Sequence, residues 1–357
     1  MKSRLFRPPT RLRGAAAGLL AAALFGASAP AAKLLLREIG PLFLASLLYL
    51  GAGVGLLLLR LVLPRMADPS REARLQRADL PLLLGIVVFG GVAGPLLMLL
   101  GLARLSGLAG SLLLNLEAPF TMLLAVLWFG EHVGRRALLG AGLIVLGGVV
   151  ITYHAGELRA DVWGVLAVAG ACLSWGIDNN LTQRLSLRNP LAVVRWKTLG
   201  AGLAMLVVAV ATGASAPSPG LLAAALGVGS LSYGASLLLD TIALRFLGAA
   251  HEAAFFATAP FLGAILSIPI LGERVSLGLV VAGLVMAAGV LALLRERHQH
   301  EHTHEAIEHE HAHVHDEHHR HPHDGPVAEP HSHPHRHEPV RHSHPHLPDL
   351  HHRHQHK

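Results

Sequence analysis

Charge is scarce in this chain. Only 15% of its 357 residues are Asp, Glu, Lys or Arg, where ordinary soluble domains carry roughly a quarter. So few charges cannot cover a solvated globular surface, and a soluble enzyme is a poor fit. Cysteine is nearly missing as well. Cys172, inside an apolar run, is the sole example, so no disulfide can close within the chain and no thiol pair offers redox chemistry. No stretch reads GxxxxGK[ST], which removes a P-loop nucleotide site, and HEAAF at residues 251–255 is not the HExxH of a metalloprotease helix.

Apolar residues fill the space that charge leaves. They make up 52% of the chain, and the mean hydropathy is +0.49. Runs of about 20 residues recur, the length that spans a hydrocarbon core about 30 Å thick. They predict ten transmembrane helices, at 14–36, 41–63, 80–102, 107–129, 134–153, 161–183, 190–212, 219–241, 248–270 and 274–294. The first resembles a secretory signal, with basic residues, an apolar stretch and then Ala-Ser-Ala. Pro30 follows that site and the apolar run resumes to Leu36, so the segment reads as an uncleaved helix. Basic residues set the orientation. Clusters at Lys2–Arg13, Arg71–Arg77 and Arg135–Arg136 fall on one side, while the other holds only Arg37, Arg104, Arg159 and Arg274. The positive-inside rule then predicts both termini in the cytoplasm of a cell's inner membrane. The net charge of +6 is therefore a topology signal and not a nucleic-acid footprint.

The chain repeats itself. RLSGLAGSLLLNLEAPF (104–120) lies without a gap over RFLGAAHEAAFFATAPF (245–261), aligning Gly107 with Gly248 and Pro119 with Pro260. Gly130-Glu131 then meets Gly272-Glu273, and GLIVLGGVV (142–150) meets GLVMAAGVL (283–291). Two five-helix units follow, 14–153 and 154–294, after a basic segment 1–13 and before a tail 295–357. Five is odd, so the second unit is inverted, as in many secondary transporters that alternate access around a midplane site. The layout, the Gly-Glu ending the fourth and ninth spans, and the strings SLLLNLEAPFTMLLAVLWFGE and WGIDNNLTQRLS resemble the EamA-type drug/metabolite transporter family over about residues 14 to 294. The resemblance implies an all-α ten-helix bundle, with no enzymatic activity, that moves small metabolites or drugs, often outward. Many members carry an arginine in the second span; this chain has Ser46 there, and an arginine in the second unit, Arg195.

Polar groups inside the spans are the candidate site, because each is costly in hydrocarbon unless it meets a partner or water. Glu117 lies about 15 Å into the fourth span, near the bilayer centre. Asn115 is close by on a different face, and Pro119 loosens the helix. Arg195 or Lys197 is the expected partner of Glu117, although snorkelling alone accounts for both. In the sixth span Trp175, Asp178, Asn179, Asn180 and Gln183 predict a polar turn along the substrate path. His251 and Glu252 stand at the inner entrance of the ninth span. Glu131 and Glu273 read as caps for the helices that follow them. Lys33, at the position matching Gln183, reads as a snorkelling residue.

After Leu294 the character changes. The tail holds all of the 26 histidines except His132, His154 and His251, interleaved with Glu, Asp, Pro and Arg. With almost no apolar residues it cannot form a core, so disorder is predicted. His298, His300, His302, His304, His309, His311, His313, His315, His318, His319, His321 and His323 are candidate ligands for Ni, Co or Zn, since neutral imidazole suits such ions. Three functions stay open on the sequence: a solute transporter with a metal-binding appendage and no required cofactor; a transporter of divalent metal loaded or sensed by the tail; and a membrane-anchored metal store or sensor.

Two measurements test this reading. A reporter fused after Leu294 is expected to give a cytoplasmic signal; a periplasmic one would remove the inverted-repeat argument. In titration calorimetry the full chain is expected to take up several Ni, Co or Zn ions that a chain ending at Leu294 does not. Free histidine titrates near pH 6.5, so metal is held above that value and released as pH falls below about 6 and protons take the imidazoles. Equal heats for both chains would remove the tail's role.

Overall fold

Punctuation residues set the helix ends. The computed structural model describes residues 8–62, 73–130, 133–153, 161–185, 188–247, 254–295, 298–303, 307–313, 331–337 and 341–346. Among them ten helices are long and apolar enough to cross a membrane: Leu12–Leu35 (α1), Pro41–Leu58 (α2), Arg77–Arg104 (α3), Gly107–Trp128 (α4), Arg135–Thr152 (α5), Val162–Arg184 (α6), Leu191–Ala211 (α7), Pro219–Asp240 (α8), Ala254–Leu271 (α9) and Leu277–Leu294 (α10). Side-chain oxygens satisfy the first-turn amides that a helix leaves unpaired. Ser106 accepts from the Ala109 amide at 3.1 Å, Asp161 from Gly164 at 3.2 Å, Asn189 from Ala192 at 3.0 Å and Ser276 from Leu279 at 3.3 Å. At the other ends, the helices of α4 and α9 stop at Gly130 and Gly272, whose φ angles of 65° and 68° favour glycine.

The helices pair across the two halves. α1 packs on α8 and α9 as α6 packs on α3 and α4; α2 packs on α8 as α7 packs on α3. α2 also meets α7, α4 meets α9 and α5 meets α10. Shifting every number by five maps this set onto itself, the pairing that the sequence repeat requires. α3 and α8 share a further feature: π-helical segments at Ile86–Ala93 and Gly229–Ala235. Next to the start of α3, Asp79 pairs with Arg188 at 2.9 Å, and the Asn189 amide donates to the Ala73 carbonyl at 2.9 Å, tying the loops before α3 and α7 together.

The tail differs from the expectation of disorder. β1 (His298–Thr303) runs antiparallel to β4 (Arg341–His346), and β2 (Ile307–His313) to β3 (His331–His337). The His-x-His alternation has the period of a strand, which composition alone does not register. No apolar face accompanies it, so the argument against a core stands.

Small residues let the helices touch. A methyl group added at Gly140 of α5 would meet the Gly289 carbonyl of α10, and one at Gly289 would meet the Gly140 carbonyl. By contrast, nothing lies within 4 Å of a Cβ placed at Gly142. Gly289→Val is therefore expected to destabilise by about 1–3 kcal/mol through overpacking, lowering the midpoint of thermal unfolding in detergent. Gly142→Val is expected to leave the midpoint unchanged.

Candidate functional site

The site grows from the π-helical segment of α3. Widening a helix there turns a carbonyl away from its usual donor, and such segments recur at functional positions. The Gly90 carbonyl accepts from Tyr49 Oη at 2.8 Å and from Trp175 Nε1 at 3.2 Å. Gly90 and Gly94, one turn apart, leave room for Asp178 and Trp175 of α6, which pack against their bare Cα atoms.

Asp178 is buried and forms an ion pair with Lys197 of α7. The Thr182 hydroxyl donates to its other oxygen at 3.4 Å. This corrects the reading of Lys197 as a snorkelling residue and as a partner of Glu117. Only 19% of its side chain is exposed, because α7 leans on α3, where Lys197 lies against Gly91. Removing either partner would strand a buried charge, at a cost of about 3–5 kcal/mol.

Glu117 is left with a neutral partner. Its Oε1 accepts from Asn179 Nδ2 at 2.7 Å, and the same amide lies 3.3 Å from the Thr121 hydroxyl. With Lys197 taken by Asp178, the net charge of this cluster rests on Glu117. Glu117 is half-buried and Asn179 is exposed. An exposed amide beside a carboxylate inside a span calls for a water-filled cavity.

The other predicted residues divide. Asn115 folds back on its own helix, donating to the Leu112 carbonyl at 2.9 Å. The loosening expected from Pro119 takes the form of a 3-10 turn at Leu114–Leu116. Cys172 fits against that turn, its Sγ lying 3.6 Å and 3.7 Å from the Leu113 and Leu114 carbonyls. Asn180 is buried and ties α6 to α4, donating to the Thr121 carbonyl at 3.1 Å and the Gly176 carbonyl at 2.8 Å. Asn180 is thus a structural bolt and not a lining residue. Gln183 is half-buried near the end of α6. His251, Glu252 and Glu131 lie outside the described residues, as do His304, His315, His318, His319, His321 and His323. Ser46 is buried and bonded to its own helix at the Phe43 carbonyl, 2.7 Å away. The sequence reading missed Tyr49, Thr121 and the Gly90 carbonyl. Gly90 and Gly94 opposite the polar turn of α6 were the available signal.

The other end of α4 is closed. Every residue of Gly107–Leu113 is buried. Glu273, just after α9, accepts from the Gly107 amide at 2.6 Å and the Leu108 amide at 2.8 Å. This corrects the expectation that Glu273 caps the next helix. Ser276 serves α10, and the turn after Gly272 sends the carboxylate to α4 instead. Lys33 does not snorkel: its Nζ donates to the Leu102 carbonyl at 2.7 Å. At the same end Arg104 meets Asp161 at 2.8 Å on the surface, and that guanidinium holds the Asp161 carboxyl below the usual carboxylate range.

The sequence matches the EamA-like transporter family twice, at residues 12–153 and 162–295. It is 32% identical over 297 residues to an uncharacterized transporter of Methanothermobacter thermautotrophicus (strain Delta H), covering 79% of this chain and 86% of that protein. A solved crystal structure shares its fold, with a TM-score of 0.53 and 20% identity over 81% of this chain and 98% of the other. Ten apolar helices, a polar cluster within them and two family matches spanning both halves lead to one assignment: the chain is an integral membrane protein of the EamA-like transporter family.

Proposed function

We propose that the chain is a secondary transporter that exports a small organic solute across the inner membrane by alternating access, with Glu117 as its titrating binding group. The observation that carries this reading is the division of charges. Asp178 and Lys197 neutralise each other, while Glu117 accepts from the neutral Asn179 amide, which also reaches the Thr121 hydroxyl. A carboxylate so placed takes a proton or the cationic group of a solute in turn, and exposure to each side in succession would couple the two movements. Both termini lie in the cytoplasm in this reading, and the tail binds divalent metal there as an appendage. The described membrane residues support organic cargo over metal: the cluster offers one free carboxylate, an amide and a hydroxyl, a set poor in the imidazole and thiolate that transition metals favour.

Uptake and efflux in proteoliposomes, comparing amine-bearing drugs, amino acids and divalent metals at several pH values, tests the reading. Glu117→Gln keeps the shape and the hydrogen bond but cannot titrate. It is expected to insert and fold normally, yet to lose transport or its pH dependence. Unchanged cargo movement with unchanged pH dependence would make Glu117 a structural residue. Loss of metal movement alone on truncation at Leu294 would favour the metal-cargo reading instead.

A further inference from the structure

The two ends of the bundle are not alike. Toward one end Asn179 is exposed and Glu117 half-exposed. Toward the other, Leu105, Leu108, Ser111 and Leu112 are buried, and Gly26 of α1 meets Gly263 of α9 backbone to backbone. The closed end is held by a contact between halves. Glu273 sits on the corner between α9 and α10; the two amides it receives, at 2.6 Å and 2.8 Å, belong to the corner between α3 and α4. Ser106 takes the third first-turn amide, from Ala109. The start of α4 is thereby satisfied without water. Lys33 adds a bond from α1 to the Leu102 carbonyl and lies within electrostatic reach of Glu273.

We propose that the Glu273 carboxylate is the latch that keeps this end of the transport path shut, and that it must release Gly107 and Leu108 for the path to open there. This rests on the transport reading above. Release frees a carboxylate and two amides at once, and each is costly in a dry environment. They can part only as water enters, so breaking the latch and wetting the path are one event. The carboxylate on one half and the amides on the other also make the contact a report of the halves' relative position. Close to the latch, the Ser111 hydroxyl is fully buried and has no hydrogen-bond partner among the described residues. Lying on the same helix one turn past the latch, it becomes reachable when the latch opens.

Thiol accessibility tests this without any transport. In a Cys172→Ala background, Ser111→Cys is challenged with an impermeant maleimide from the face bearing Glu273, and Asn179→Cys from the opposite face. Adding Glu273→Ala is expected to speed labelling at 111 by about tenfold and to slow it at 179, because a shift between two states fills one at the expense of the other. Glu273→Gln, which keeps one acceptor, is expected to fall between. An unchanged rate at 111 overturns the proposal. Faster labelling at both positions overturns it too, since that is general loosening. If accessibility shifts as expected while no cargo moves in any assay, the transport reading fails and the latch stands.

Discussion

Nothing in a hydrocarbon core can solvate a peptide group or a charge, so each must find its partner inside the protein. Most features of this bundle answer to that constraint. Serine, aspartate and asparagine oxygens close the helix starts, and left-handed glycines close two of the ends. The carbonyl turned away by the π-helical segment of α3 receives a tyrosine hydroxyl and an indole nitrogen. The carbonyls beside the 3-10 turn of α4 receive a thiol. Against such thorough satisfaction, a half-exposed carboxylate bonded to a neutral amide stands out.

The division between legible and illegible features follows from range. Span number, helix caps and the two-fold repeat are written in local pattern: runs of apolar residues, Ser or Asn before them, and Gly-Glu at matching positions. Glu117 was legible for the same reason, as a charge in a run that has no others. Partners were not. Whether Lys197 meets Glu117 or Asp178 depends on how far α7 is rotated against α6, and a span that is apolar nearly all round carries no periodicity to report that rotation. The same applies to Glu273. Its sequence neighbours suggest the next helix, but the turn after Gly272 directs it to a helix some 165 residues away. Asn180 shows the converse error: it belongs to the polar turn in sequence, yet points away from Asn179 and is consumed by backbone carbonyls.

The tail obeys a different logic. Its composition excludes a core. Yet a two-residue alternation is also what a strand needs, and the register sets His298, His300 and His302 opposite His346, His344 and His342. Composition sees the abundance of histidine; only the order of residues sees the pairing.

The interleaving of the halves bears on how the protein is made. α1 packs on α8 and α9, α2 on α7 and α8, α4 on α9 and α5 on α10. A ribosome delivers the first five helices before any of those partners exists. During synthesis the early helices must wait in the bilayer with their small-residue faces open to lipid, and the glycine contact between α5 and α10 can form only near the end of translation. The newborn first half thus has only the lighter contacts among its own helices until the second half follows.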